Sequence, residues 1–246
     1  MIYPSVPVMG YKVYSNDLRD IRLDDGLIVI NTLNAFSYVR AEEDHMFKNA
    51  LQASDILVAD GFPVVLAARL LGGYSIKKIA GADVFYAVLK LLNSISGSCF
   101  FLGSSLETLT KIKTKMTSEF PQVSVSFFSP PYKEKYSAAE TTEMIAAINQ
   151  VKPTVVFVGM TAPKQEKWVF ENKGKLQTNL VCCIGAVFDF YAETIKRPAP
   201  IWIKLNLEWL VRFLKEPRRL GKRYFVYSPR FFGYLLKFFF NRKAAY

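Results

Sequence analysis

The residues of this chain best suited to chemistry gather directly after short apolar runs. Leu27-Ile28-Val29-Ile30 is followed by Asn31-Thr32-Leu33-Asn34, Ile56-Leu57-Val58 by Asp60-Gly61, and Cys99-Phe100-Phe101-Leu102 by Gly103-Ser104-Ser105. Farther on, residues 155–158 lead into Gly159-Met160-Thr161-Ala162-Pro163-Lys164-Gln165-Glu166, and residues 180–184 into Gly185-Ala186-Val187-Phe188-Asp189. Carboxylates can move protons, while amides and hydroxyls can orient a polyhydroxylated ligand. A Gly-Ser turn ahead of a helix can offer backbone N–H groups to an anion. Each group also has a plainer reading. Asp60-Gly61 makes an ordinary strand-ending turn. Pro163 suits a first helical turn in which Gln165 and Glu166 complement the helix dipole. Gly103-Ser104-Ser105 lacks both the GxGxxG and the GxxxxGK[ST] pattern.

The single histidine, His45, stands beside Glu42, Glu43 and Asp44 on what reads as a solvated helix face. With it and only Cys99, Cys182 and Cys183, a Ser-His-Asp hydrolase or a His-rich metal site has no adequate set of parts. The expected site is therefore one of carboxylates and amides, and no cofactor is expected. The cysteines show neither disulfide nor zinc spacing and read as core residues of a reduced, cytosolic protein.

The elements that must position these residues follow from the alternation of pattern. Apolar β-branched runs at 27–30, 56–58, 99–102, 123–128, 155–158 and 180–184 alternate with helical patterns at 41–54, 64–71, 84–92, 106–120, 138–150 and 163–173. Strands that read as continuous apolar runs are buried on both faces, which is the condition of a parallel sheet covered by helices. The fold class expected is α/β, with a Rossmann-like, mostly parallel sheet, and ligands of such sheets sit at the carboxyl ends of the strands. At 246 residues and 51% hydrophobic composition the chain can bury a large core. No run reaches the roughly 18 apolar residues of a spanning helix and the N-terminus has no signal-peptide pattern, so neither secretion nor transmembrane anchoring is expected.

The net charge of +11 is confined to one end. Residues 1–195 carry 19 Lys+Arg and 19 Asp+Glu, whereas residues 196–246 carry 13 basic residues against Glu208 and Glu216. The step divides a neutral catalytic body, 1–195, from a basic helical appendage, 196–246. Residues 201–214 form an amphipathic helix with Lys204, Glu208, Arg212 and Lys215 on one side and Trp202, Trp209 and Phe213 away from it. Arg218-Arg219 and Lys222-Arg223 stack on a second helix, and aromatics interleaved with cations follow Pro229. An anionic membrane surface is the first partner such a segment suggests, a homo-oligomer interface the second and nucleic acid the third.

The ordered set Asn31-Thr32-Leu33-Asn34, Asp60-Gly61, Gly81-Ala82-Asp83, Gly159 to Glu166, Gly185 to Asp189, Lys196-Arg197-Pro198-Ala199-Pro200, Leu207 to Arg212, Glu216-Pro217-Arg218-Arg219 and Arg223-Tyr224 resembles the WecG/TagA/CpsF family of bacterial glycosyltransferases. The resemblance implies an inverting, metal-independent transferase. It would move a sugar from a UDP-sugar to an undecaprenyl-diphosphate-linked glycan, in cell-wall, capsule or exopolysaccharide synthesis. It would work at the inner face of the plasma membrane as a peripheral, cytoplasmic protein. By the same resemblance Asp60 is the general base, Thr32, Asn34 and Gln165 line the catalytic pocket, and Asp189 is a further pocket residue. Gly61, Asp83, Gly103, Ser104, Gly159, Pro163, Lys164, Glu166 and Gly185 complete the expected substrate-binding set. Arg212, Arg218, Arg219 and Arg223 are expected to meet the membrane or the diphosphate.

Two departures from the family pattern stand out. Lys77-Lys78-Ile79-Ala80 replaces a stretch that usually carries an arginine, and Met160-Thr161 expands the Pro-Lys-Gln-Glu motif. A lysine offers a point charge where arginine offers a bidentate fork. An oxidoreductase would need GxGxxG where Asn31-Thr32-Leu33-Asn34-Ala35-Phe36 stands. A non-catalytic, membrane-surface nucleotide-binding or scaffold protein of polysaccharide assembly is the alternative. The transferred sugar, whether N-acetylmannosamine, its uronic acid or another hexose, is left open by the sequence.

Overall fold

The computed structural model describes residues 3–23, 26–194, 201–202 and 208–243. Its centre is a six-stranded sheet in which every neighbouring pair is parallel. The strands are β3 (Ile28–Leu33), β4 (Ile56–Ala59), β5 (Ser98–Gly103), β6 (Ser124–Phe128), β7 (Val155–Gly159) and β8 (Leu180–Cys183), in the order β4-β3-β8-β7-β5-β6. Helices α1 (Ala35–Glu43), α2 (His45–Gln52), α3 (Phe62–Gly72), α4 (Gly81–Ser94), α5 (Leu106–Glu119), α6 (Ala138–Val151), α7 (Lys164–Asn172) and α8 (Val187–Tyr191) accompany it. The α/β expectation holds, and for the expected reason. On β5, Cys99 and Phe101 pack into one core cluster while Phe100 and Leu102 pack into another, so both faces are dry and the run carries no polar alternation.

Three local expectations are corrected. The helix expected over 41–54 is two helices that meet at Asp44, which closes α1 and whose carboxylate then accepts the Phe47 N–H to start α2. A hairpin unread in the sequence, β1 (Ser5–Val8) paired antiparallel with β2 (Tyr11–Tyr14), lies beside β4. Its turn places Met9 and Gly10 at φ 48° and 86°, and a methionine at such an angle carries none of the Asn-Gly chemistry that announces a hairpin. The first apolar strand runs through Asn31, Thr32 and Leu33 rather than stopping at Ile30, which puts Thr32 inside β3.

The C-terminal segment contains α9 (Glu208–Lys215), α10 (Pro217–Lys222), a single π turn over Arg223–Tyr227, and α11 (Ser228–Lys243). Residues 203–207 of the expected amphipathic helix, with Lys204, lie outside the described residues, as does the Lys196–Pro200 motif. Pro229 does not interrupt the chain: it follows directly on the π turn, and the backbone stays helical through Ser228 at φ −66° and ψ −46°.

Tyr227, Phe231 and Leu235, four residues apart, form a buried stripe in the same core cluster as Tyr38, Val39 and Val64 of the body. Rings meet edge to face: Phe36 with Tyr227 at 5.0 Å and Tyr38 with Phe231 at 5.3 Å. Arg230 pairs with Glu43 of α1 at 2.5 Å. Part of the aromatic pattern is thus body core, while Phe232, Leu236, Phe238 and Phe240 remain exposed. Among the described residues no helix is long and apolar enough to cross a membrane.

Because Phe231 is 1% exposed and shares its cluster with β2, β3 and β4, Phe231→Ala is expected to destabilise the whole body. The cost should be about 3–5 kcal/mol, read as a lower urea midpoint in one cooperative transition.

Candidate functional site

A cleft of about 1280 Å³ opens at the carboxyl ends of the parallel strands. The end of β3 supplies Thr32 and Asn34, and that of β4 supplies Asp60 and Gly61. Gly103 and Ser104 follow from β5, Gly159 from β7, and Gly185 with Asp189 from the turn after β8 and helix α8. Lys164, Gln165 and Glu166 enter from the start of α7, and Asp83 from α4. Pro163 serves as the N-cap residue of α7 rather than lining the cleft.

At one wall, two polar side chains from adjacent strand ends meet. The backbone N–H of Asp60 donates to the Leu33 carbonyl at 2.8 Å, which fixes the end of β4 level with that of β3. Asn34 caps α1: its Oδ1 accepts the Ser37 N–H at 3.0 Å, and its own N–H donates to the Ser37 hydroxyl at 2.8 Å. With the oxygen spent on the helix, the amide must turn its Nδ2 outward, and Nδ2 donates to Asp60 Oδ2 at 3.3 Å. Asn34 and Asp60 are both half-buried, so the Asp60 carboxylate is oriented and still accessible from the cleft.

The opposite wall is made by the β7–α7 turn. Gln165, 3% exposed, accepts the Met160 N–H on Oε1 at 3.2 Å and donates from Nε2 to Glu166 Oε1 at 2.8 Å. Glu166 is itself 2% exposed, and burial pushes its carboxyl up to about 7. Lys164 donates to the Lys133 carbonyl at 2.7 Å and sits 4.9 Å from the Tyr136 ring centroid and 5.6 Å from that of Tyr132. Burial lowers the proton affinity of its ammonium.

The glycine at the end of β5 is a matter of close approach. A Cβ on Gly103 would stand 2.6 Å from the Gly159 carbonyl oxygen, and the residue sits at φ 109°. The following Ser104, at φ 64°, and Ser105, which caps α5 by accepting the Thr108 N–H, lead into a helix N-terminus that faces the cleft. This is the N–H-rich turn the sequence suggested, without a nucleotide-binding signature. The Asp83 carboxylate accepts the Ala80 N–H at 2.8 Å, so it caps α4 from the rim of the cleft.

The C-terminal segment closes a third side through Trp209, Arg223, Tyr224 and Phe232. The Arg223 guanidinium lies 5.1 Å from the centroid of the Phe36 ring, at the start of α1. Arg218 is exposed and outside the cleft lining. The side chains of Arg212 and Arg219 lie outside what is described. Of the two lysines that replace the usual arginine, Lys77 pairs with Asp17 at 3.3 Å, whereas Lys78 lines the cleft.

Sequence reasoning missed Tyr132, Tyr136, Phe36 and Tyr224 as cleft residues. The two tyrosines of the β6–α6 loop follow a strand end, the same signal that found the others. Among the described residues no group of three or more His, Cys, Asp or Glu side chains is placed to hold a metal ion. Since the Asn34 side chain joins two elements, Asn34→Ala is expected to cost about 1 kcal/mol through the lost cap, measured by denaturant unfolding.

A model of the glycosyl transferase WecG/TagA/CpsF family matches residues 9–245. The chain is 29% identical over 219 residues to an N-acetylglucosaminyldiphosphoundecaprenol N-acetyl-beta-D-mannosaminyltransferase of Bacillus subtilis (strain 168), covering 89% of this chain and 82% of that one. It is similar to proteins of the same name from Staphylococcus aureus (strain MW2), 27% identical over 70% of this chain and 66% of the other, and from Bacillus spizizenii, 26% identical over 77% and 72%. With a family match over nearly its whole length, the chain belongs to the WecG/TagA/CpsF family of glycosyltransferases.

Proposed function

We propose that this glycosyltransferase moves a sugar from a UDP-sugar to a polyprenyl-diphosphate-linked glycan, with inversion and without a metal ion, in the assembly of a cell-surface polymer. An N-acetylmannosamine-type donor and an N-acetylglucosamine-bearing lipid acceptor are the first to test, because the relatives carry those sugars in their names. The observation that carries the reading is the Asp60 carboxylate, held by the Asn34 amide at the junction of two strand ends inside the cleft.

In the proposed reaction Asp60 takes the proton of the acceptor hydroxyl as its oxygen bonds to the anomeric carbon. The bond from that carbon to the diphosphate breaks on the opposite face, and UDP leaves with the electron pair. The departing charge is met by the N–H groups of the Ser104-Ser105 turn at the start of α5 and by Arg223. Thr32 and Asp189 are left to orient sugar hydroxyls. The exposed Phe238 and Phe240 of α11, with Lys237 beside them in the same helix, would rest on an anionic membrane surface where the lipid acceptor resides.

The test is a screen of UDP-sugars for acceptor-dependent release of UDP in detergent. One donor is expected to be consumed only when the lipid-linked sugar is present. Binding of UDP without turnover of any donor would leave the scaffold reading instead. Arg223→Ala is expected to lower kcat/KM by about 10- to 100-fold, the loss of one charge-assisted hydrogen bond to the diphosphate. A change below threefold would remove Arg223 from the donor site.

A further inference from the structure

Among the described residues Glu166 is the one acidic side chain of the cleft region that is shut away from water, and its surroundings are incomplete for a carboxylate. Its Oε1 accepts from Gln165, whereas its Oε2 is buried without a hydrogen-bond partner. The titratable groups around it supply no counter-charge among the described residues. Cys183 of β8 is a buried thiol pushed up by burial and by Glu166 itself. Lys164 is directed to the Lys133 carbonyl, and Lys167 pairs with Asp44 at the start of α2 at 2.9 Å. Cys183 belongs to an apolar cluster with Val158, Met160, Val169 and Val181. An ionised carboxylate steadied only by the Gln165 amide and its own backbone N–H, with an orphaned oxygen and no counter-charge, is costly to bury, and a protonated acid costs less.

We propose that Glu166 is a positioning residue, held as a neutral carboxylic acid, whose carbonyl oxygen fixes the Gln165 amide so that its own oxygen grips Met160 N–H and its remaining N–H is offered to the ligand. The chain of contacts runs Met160 N–H to Gln165 Oε1 at 3.2 Å, then Gln165 Nε2 to Glu166 Oε1 at 2.8 Å. An amide has two N–H groups and one oxygen. With the oxygen and one N–H committed, the other N–H remains, and the amide is specified as a donor toward an oxygen of the bound sugar or diphosphate. A flipped amide would face Met160 N–H with Nε2, donor against donor, so the Met160 N–H and the accepting Glu166 Oε1 together favour the observed orientation. Glu166 itself does not touch the substrate, which replaces the expectation that it belongs to the binding set. The proposal deepens the transferase reading and rests on it for its kinetic arm only.

The sign of the linkage supplies an arm that needs no turnover. A carboxyl raised from 4.5 to about 7 in the folded protein contributes stability that is fully present below about 4.5 and lost as pH rises through about 7. Glu166→Gln keeps the accepting oxygen and cannot ionise; Glu166→Leu keeps the bulk and removes the acceptor. Thermal unfolding of the full chain between pH 5 and pH 8.5 is expected to show the wild-type midpoint falling by about 5 °C more than that of Glu166→Gln. Parallel slopes would overturn the neutral acid, whether or not any donor is turned over.

With an active donor, Glu166→Gln should retain kcat within about threefold of wild type, and Glu166→Leu should lose at least tenfold in kcat/KM while Glu166→Gln restores it. Equal losses in both variants would show instead that an ionised Glu166 meets the substrate. A Leu variant that fails to fold leaves the comparison of Gln with wild type to decide. A failure of the transferase reading leaves the unfolding slopes to decide.

Discussion

The cleft depends on how one amide is shared. Asn34 stands where β3 turns into α1, and a helix start has N–H groups that must be satisfied. By giving its oxygen to the Ser37 N–H, Asn34 both starts the helix and leaves its Nδ2 as the group that faces the next strand end, where Asp60 receives it at 3.3 Å. The backbone bond from Asp60 to Leu33 holds the two ends level. The same few atoms thus close the sheet edge, set the axis of α1 and aim a carboxylate, so the chemical site has no positional freedom separate from that of the fold.

The far wall uses the same device with different chemistry. Gln165 ties the β7–α7 turn to itself through Met160 and is tied in turn by Glu166, so its orientation follows from a buried acid rather than from a helix cap. Between the two walls, a Cβ on Gly103 would meet the Gly159 carbonyl and one on Gly159 would meet the Phe188 ring, so neither position takes a side chain. The C-terminal segment then completes the enclosure. Its buried stripe of Tyr227, Phe231 and Leu235 anchors it to α1 and α3, and this places Arg223 and Tyr224 over the opening. A part of the chain that reads as an appendage by charge is therefore also a wall of the cleft.

Much of this was legible because a buried parallel strand and its polar end are both written locally. Continuous apolar runs mark five of the six strands, the edge strand β6 being interrupted by Ser124 and Ser126, and the residues after the runs, from Thr32 and Asn34 to Asp189, are among those that meet in the cleft. What was illegible depends on contacts between distant elements. The break at Asp44 cannot be read from helical periodicity, because the same residue is a tolerable helix member and a good cap. The β1–β2 hairpin turns on a methionine at positive φ, for which no turn signature exists. Glu166, two residues into a helix, reads as a dipole partner. Only its burial and its orphaned oxygen show that it faces inward.

The central claim is that Asp60 receives the proton of the acceptor hydroxyl. Single-turnover transfer with donor and lipid-linked acceptor saturating, compared between wild type and Asp60→Asn, tests it most directly, since the asparagine keeps the shape and the contact with Asn34 but cannot take a proton. The account predicts a loss of about 10²- to 10⁴-fold in the transfer step with UDP-sugar binding unchanged. Transfer by Asp60→Asn within tenfold of wild type would contradict it and move the base elsewhere in the cleft.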